Sequence, residues 1–493
     1  MELKVKFLKW SAGIPGVMLH PETANKIGIS KAGRVSIKTL GKYPKEFSTV
    51  FNTIEKVVKE KEILISAETK KRLKLKKGSK VDVNIASSPK SVIFIKKKLN
   101  GKKLNKKQIN EIILDIVKNN LTEPVVSLFV SAMYNKGMSF RETVHLINAI
   151  LENGNKLKFK QKDLADKHSI GGIPGNRTTP IVISICAAAG LAMPKTSSKA
   201  ITSAAGTANV IETLAKIEFK PGELKKILNK TNGFMAWGGA LNMVPADSKI
   251  IKIEKELKID PQAQLLASIM AKKLAVGSKH ILIDIPYGKT AKVSESAALK
   301  LKKKFEKLGK YFKRNLKVVL TDGKQPIGFG VGPVLELIDV IAILDPKKQG
   351  PKDLEDKSVF LAAELLELSK KVKKGKGKEV AEEILKSGKA FKKFEDILIA
   401  QQGKLIDLKP SKHKKDILVK KNSKIISIDN KKINLLARVA GCPADKYAGV
   451  LFHNKVGEVV KKGKPLITIY AESKSRLKEA TNFYNKIKPI KVK

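Results

Sequence analysis

The chain has 493 residues, 42% of them hydrophobic, which is enough for several domains and a substantial core. Its opening, MELKVKFLKW, lacks the apolar core of a secretory signal and no apolar run reaches membrane-spanning length, so a soluble cytoplasmic protein without a membrane partner is expected. The 99 Lys and Arg outnumber the 46 Asp and Glu for a formal charge of +53, yet aromatics make up 5% and the lysines run through every segment, which favours solvated helix faces over a nucleic-acid surface. Such a surface still draws small anions, within the roughly 8 to 10 Å that salt leaves unscreened. Cys186 and Cys442 supply neither a disulfide framework nor metal-ligand spacing, so no metal and no cofactor are expected.

Residues 1–88 contain an internal repeat. Val17 to Thr23, Lys26 to Ile29 and Val35 to Ile37 align without gaps on Ile63 to Thr69, Arg72 to Leu75 and Val81 to Val83. Each copy reads as strand, short helical turn, glycine-containing turn and strand, which predicts a small pseudo-symmetric β-barrel. It holds no catalytic constellation and is assigned to assembly or scaffolding, with His20 as a turn residue. Past a basic linker at Lys96 to Lys107, Ile109, Ile112, Ile113 and Ile116 mark one helix face. Two more helices follow at Val125 to Tyr134 and Thr143 to Leu151, with breaks at Pro124 and Gly137 and a structural His145.

Two small-residue, hydroxyl-rich loops come next. The first, Lys167 to Thr179 (KHSIGGIPGNRTT), has three glycines for close backbone approach and donors on Lys, Ser, Arg and Thr; Pro180 to Ala189 then reads as a buried helix containing Cys186. The second, Ser197 to Thr207 (SSKAITSAAGT), opens another helix near Ala208. A cradle at a helix N-terminus suits phosphate, because the first-turn N–H groups are unpaired. No Gly-Lys-Ser/Thr closes the loop as in a Walker motif, and Gly288-Lys289-Thr290 lacks the earlier glycine. Glycine spacing alone leaves two readings open, an anion cradle and a pair of tight packing turns; the density of donors favours phosphate. Farther on, Ile281 to Ile285 and Leu316 to Leu320 read as buried parallel strands flanking a helix with Ala298, Leu301, Phe305, Leu308 and Phe312 inward. Gly328 to Gly332 reads as a structural turn. From about Ile417 the chain alternates around glycine turns, most clearly from Val456 to Tyr470, and Cys442 and His453 fall in loops.

The run Lys167-His168-Ser169, Gly171-Gly172, then Ser198 to Thr207 with Glu212 beyond, resembles the signature of the thymidine/pyrimidine-nucleoside phosphorylase family. It is most similar to the archaeal branch, the AMP phosphorylases, whose loops read HSIGG-x-PGNRTT and SRAITS; Lys199 stands here for the usual Arg. The likeness covers nearly the whole chain. It implies an α/β multidomain fold: a β-barrel-like domain at 1–88, a small all-α domain at 100–155 and 245–275, a large α/β domain with a mostly parallel sheet at 156–244 and 276–415, and a C-terminal α+β barrel-sandwich module at 416–493. That module is also similar to biotinyl and lipoyl carriers but lacks their acceptor lysine. The active site is expected in a cleft between lobes, and a homodimer or larger homo-oligomer follows from the resemblance only.

The same resemblance implies site residues. Phosphate is expected on Lys167, Ser169, Thr179, Ser197 and Thr207. The nucleotide is expected on Gly172, Ser198, Lys199, Ala200, Ile201, Thr202, Ser203, Thr207, Ser268, Lys272 and Lys292, with the 5′-phosphate held by Ser198 to Ser203 and Lys292. Asp260 matches the proton donor to the base, and His168 either steadies phosphate or sugar or is structural. Without the resemblance, Asp260 and the Ser268/Lys272 pair would read as a solvated helix stripe. Ile253 occupies the place of an arginine that holds the base carbonyl in the pyrimidine enzymes, which argues against thymidine. The implied reaction is phosphorolysis of AMP, with CMP and UMP open, to free base and ribose 1,5-bisphosphate, in AMP catabolism; the alternative is a pyrimidine nucleoside phosphorylase. Acid catalysis by Asp260 is worth about 10²- to 10⁴-fold. Nearby lysines would lower the usual Asp pKa of about 3.9, and the negative charge of the bound substrates counteracts this.

Overall fold

The computed structural model describes residues 1–7, 15–29, 33–200 and 203–493, in two compact units: Met1–Asn153 with Pro245–Ala267, and Gly154–Val244 with Ser268–Lys493. In the first, strands Glu2–Phe7 (β1), Gly16–Leu19 (β2), Arg34–Thr39 (β3), Glu46–Thr53 (β4), Glu62–Ile65 (β5) and Lys80–Ile85 (β6) close into a barrel ordered β1-β5-β2-β4-β3-β6. Alternation along the strands sends Leu3, Val5, Phe47, Phe51, Ile63 and Val81 into its core. Helices Pro21–Ile27 (α1) and Ala67–Leu73 (α2) link β2 to β3 and β5 to β6. Exchanging β1, β2, β3 with β4, β5, β6 leaves every pairing and its direction unchanged, so the barrel has a pseudo-two-fold arrangement. His20 is the N-cap of α1, its Nδ1 accepting the Glu22 N–H at 3.3 Å.

Helices Ser91–Leu99 (α3), Lys106–Val117 (α4), Glu123–Lys136 (α5) and Phe140–Glu152 (α6) complete this unit together with Pro245–Leu257, which buries Ile250 and Ile253. The stretch read as a basic linker is a correction. Lys96 to Lys98 end α3, and Lys98 Nζ lies 2.8 Å from Glu142 Oε1 with both side chains 3% exposed. Glu142 also accepts the Leu104 N–H, so a buried ion pair pins the connection that composition alone makes look solvated.

The second unit is built on parallel strands Ala165–Ser169 (β7), Met193–Ser197 (β8), Gly233–Trp237 (β9), His280–Tyr287 (β10) and Asn315–Asp322 (β11). The sheets β11-β10-β7 and β8-β9 meet through the parallel bridge Leu164↔Ala192, giving the lateral order β9-β8-β7-β10-β11. Helices Thr178–Ala188 (α7), Thr207–Ile211 (α8) and Pro221–Thr231 (α9) connect the early strands; Pro245–Leu257 is α10, and Gln262–Val276 (α11) is divided between the units after Ala267. Glu295–Tyr311 (α12) is the crossover from β10 to β11, and Pro333–Leu344 (α13), Lys352–Leu368 (α14), Gly377–Lys386 (α15) and Lys389–Ala400 (α16) cover the core. Cys186 is buried in α7. No helix among the described residues is long and apolar enough to cross a membrane.

The remainder of this unit holds Gly330–Val331 (β12), His413–Leu418 (β13), Ser423–Ile428 (β14), Asn430–Ala440 (α17), Gly449–Phe452 (β15), Val459–Val460 (β16), Pro465–Ala471 (β17), Lys474–Ile487 (α18) and Ile490–Val492 (β18). Its sheets are ordered β12-β15-β17-β13 and β16-β14-β18. The Gly328 to Gly332 turn therefore does more than turn: Gly330 and Val331 add a strand to the C-terminal sheet against Leu451 and Val450. His453, in the loop after β15, has Nε2 at 2.7 Å from the Thr468 hydroxyl.

Candidate functional site

The chain runs β7, β8, β9 to one side of the sheet and then β10, β11 to the other, so strand order reverses between β7 and β10. In open parallel sheets a ligand crevice lies beyond the carboxyl ends at such a reversal. The first loop leaves β7 there, the second leaves β8, and the turn carrying Lys292 leaves β10. Gly172, at φ +95°, lies so close to Lys292 that a Cβ would sit 3.0 Å from the Lys292 Cβ. Gly175, at φ +71°, faces the Ile327 carbonyl at a distance that leaves no room for a side chain.

Adjacent residues on a strand point to opposite faces, so Asp166 and Lys167 found two separate polar clusters. On one face Lys167 Nζ donates to Thr178 Oγ1 at 2.5 Å, and the Asp284 carboxylate accepts the Thr321 hydroxyl at 2.5 Å and pairs with Lys357 Nζ at 3.2 Å. Burial lowers the Lys167 amine to about 7; Asp284 opposes this, and Lys357, Lys195 and Arg177 reinforce it. Burial acts to raise the Asp284 carboxyl, but Lys357 and Lys167 outweigh it and hold it below its usual range. On the other face Asp166 pairs with Lys195 at 3.0 Å and Lys273 at 2.6 Å. Burial and the ammonium groups of Lys273, Lys195, Lys272 and Lys167 push His168 well below the usual histidine range, so its imidazole is neutral at pH 7.

Arg177, one residue before α7, is not a free donor as the loop composition implied. Its Nε donates to Glu336 at 2.7 Å, Nη1 to Thr207 Oγ1 at 2.8 Å and Nη2 to the Ala205 carbonyl at 2.8 Å, so it fastens the first loop to the second. Lys167, Lys195, Lys273, Lys357 and Arg177 thus set five basic side chains against three buried carboxylates, Asp166, Asp284 and Glu336, and burial lowers Lys273, like Lys167, to about 7.

Ser169 Oγ accepts from Asn176 Nδ2 at 3.2 Å, and Thr179 is buried in the first turn of α7. Ser197 Oγ is buried without a hydrogen-bond partner among the described residues, and Ser198 beside it is exposed. Such an unpaired hydroxyl is a place for a ligand oxygen. Lys199 is engaged, 3.0 Å from Glu212 and 4.8 Å over the Trp237 ring. The Ala200 N–H donates to Asn209 Oδ1 at 2.7 Å and Ser203 Oγ to the Ala205 carbonyl at 2.7 Å; Ile201 and Thr202 lie outside the described residues. Lys272 Nζ donates to Ser268 Oγ at 2.8 Å one turn away on α11. Asp260 is an exposed residue of the first unit, between α10 and α11. Ile253 is buried at 3% exposure in the core of that unit, so in this chain the position is a packing one.

Motif reading missed Asp166, Lys195, Lys273, Asp284 and Lys357. For Asp284 a signal existed, a lone carboxylate inside the apolar run ILIDIP of a central strand. For Lys357, on a mixed polar helix, none did.

Three family models match: "Glycosyl transferase family, helical bundle domain" over residues 92–154, "Glycosyl transferase family, a/b domain" over 161–391 and "Pyrimidine nucleoside phosphorylase C-terminal domain" over 424–491. A protein of Pyrococcus furiosus named AMP phosphorylase is 43% identical across 100% of this chain and 98% of its own length. One of the same name from Methanococcus aeolicus is 40% identical over 99% and 97%. Among solved structures, an anthranilate phosphoribosyltransferase from Thermus thermophilus superposes with a TM-score of 0.53 at 17% identity, covering 63% of this chain and 99% of that one, a likeness of fold alone.

Proposed function

Because this chain belongs to the AMP phosphorylase branch of the pyrimidine-nucleoside phosphorylase family, a family of pentosyltransferases, we propose that it cleaves AMP with inorganic phosphate to adenine and ribose 1,5-bisphosphate. The observation that carries the reading is the buried Lys167, with Asp284 and Lys357 on the same face, where the first loop leaves β7 at the strand-order reversal. Inorganic phosphate sits on Lys167, Ser169, Thr179, Ser197 and Thr207. The nucleotide sits on Gly172, the Ser198 to Ser203 loop, Thr207, Ser268, Lys272 and Lys292. A phosphate oxygen bonds to C1′ as the bond from C1′ to the base nitrogen breaks; the bonding pair leaves with adenine, and Asp260 delivers the proton that neutralises it. A neutral His168 has no proton to spare for this step and contributes a hydrogen bond instead. Lys292, beside Gly172 in the turn after β10, contributes with the Ser198 to Ser203 loop to holding the 5′-phosphate. The enzyme works in the cytoplasm as a homodimer or larger assembly.

The test is phosphate-dependent release of base from AMP, CMP, UMP, adenosine and thymidine measured side by side. Release from AMP but not adenosine is expected; release from nucleosides alone would replace this reading with a nucleoside phosphorylase. Asp260→Asn is expected to lower kcat by about 10²- to 10⁴-fold while phosphate binding persists, and full turnover would remove Asp260 from the mechanism.

A further inference from the structure

Helix α17 belongs to the C-terminal part of the second unit, yet two of its side chains reach the substrate loops. Asn430 and Asn434 are four residues apart and share a face, at 0% and 4% exposure. Asn434 Oδ1 accepts the Ala204 N–H of the second loop at 2.9 Å, and its Nδ2 donates to the Gly172 carbonyl of the first at 3.4 Å. Asn430 Nδ2 donates to Thr290 Oγ1 at 3.0 Å and to the Gly323 carbonyl at 2.9 Å, and its own N–H reaches Thr290 Oγ1 at 3.2 Å. Thr290 lies two residues before Lys292. Ala204 is itself packed into the C-terminal core with Ile433, Ala437 and Val450.

We propose that α17 sets the spacing of the anion-binding loops, with Asn434 and Asn430 as positioning residues for the transfer reaction. A carboxamide is suited to this because one planar group presents a donor and an acceptor, matching one carbonyl and one N–H that belong to different loops. A carboxylate supplies only the acceptor, and an aliphatic side chain supplies neither. The helix is held firmly enough to serve as a ruler: Asp429 caps it through the Lys431 and Lys432 N–H groups, and Lys432 Nζ donates to the Ile487 carbonyl of α18. Arg177 joins the same two loops, so the first loop is tied to the second from two directions. The C-terminal module is thereby part of the substrate-binding apparatus and not only a packing partner. This inference rests on the proposed assignment of phosphate to the first loop and nucleotide to the second.

The test uses the full chain, with inorganic-phosphate binding measured by calorimetry and steady-state kinetics measured with AMP. Asn434→Ala is expected to raise the phosphate Kd and the AMP KM each about tenfold, the scale of a lost buried hydrogen bond, while kcat falls less than about threefold. Asn430→Ala is expected to raise the AMP KM about fivefold and leave the phosphate Kd unchanged, since it bonds the Lys292 turn and Gly323 but neither anion-binding loop. If Asn434→Ala does not fold, Asn434→Asp keeps the acceptor for Ala204 and is expected to weaken phosphate binding to a similar degree. A folded Asn434 variant whose phosphate Kd and AMP KM both stay within about twofold of the parent, or which loses kcat alone, overturns the proposal. Should the parent bind phosphate without cleaving AMP, weaker phosphate binding in Asn434→Ala would still support the positioning role while refuting the proposed reaction.

Discussion

The two loops look alike in composition but hold their place by different physics. The first leaves β7 at the strand-order reversal, opens the 11-residue helix α7, and sits over Lys167, Asp284 and Lys357 in a water-poor interior. The second leaves β8, opens the five-residue α8, and owes its shape to side-chain hydrogen bonds from Arg177, from Asn209 of α8 itself and from Asn434 of α17. The first is organised by buried charge and the second by side-chain hydrogen bonds. Electrostatic changes should therefore act on the first loop, and geometric ones on the second.

The largest expected effect comes from removing the connection between them. Arg177→Ala leaves Glu336 buried and uncompensated, which should cost about 3 to 5 kcal/mol in urea unfolding. A loss below about 1 kcal/mol would mean that the second loop holds its shape without Arg177. Next, Lys167→Met removes a charged donor from the first loop only. It should weaken phosphate binding by roughly 10- to 100-fold in calorimetry, with the AMP KM moving much less.

A pH effect of intermediate size follows from the same lysine. Its amine is lowered from 10.5 to about 7 in the folded chain, so between pH 7 and about 10 the unfolded state binds the extra proton and stability rises with pH, by at most about 1.4 kcal/mol per unit. The thermal midpoint of the parent should rise from pH 7 to 9 relative to Lys167→Met. Saturating phosphate should flatten that difference, because an anion beside Nζ restores the charged form. The smallest effect should be at Lys199, whose pair with Glu212 is 38% and 30% exposed: Lys199→Ala should change the AMP KM by no more than about threefold. A hundredfold rise in that KM would place Lys199 on the 5′-phosphate.

Much of the local structure was legible. The gapless repeat from Val17 and from Ile63 marks the strand-helix-strand segments of the barrel, and Ile281 to Ile285 and Leu316 to Leu320 lie within β10 and β11. These signals carry because alternation and apolar runs reflect which face is buried, a property of each segment alone. The basic run at Lys96 misled because a buried lysine and a solvated one have the same letter; only Glu142, 44 residues away from Lys98, separates them. Arg177 misled in the same way, since its three acceptors lie 28 to 159 residues further along the chain.

The sequence by itself determined the family and the position of many helices and strands, because motif spacing and local periodicity survive in one dimension. The tertiary structure decided which cations are spent and which remain available. Lys199 and Arg177 are paired, whereas Lys167 and Lys357 share the single carboxylate of Asp284. It also decided that a helix near the chain's end spans both loops. Pairing and desolvation depend on distances between residues far apart in the chain, and those distances exist only once the sheet has assembled.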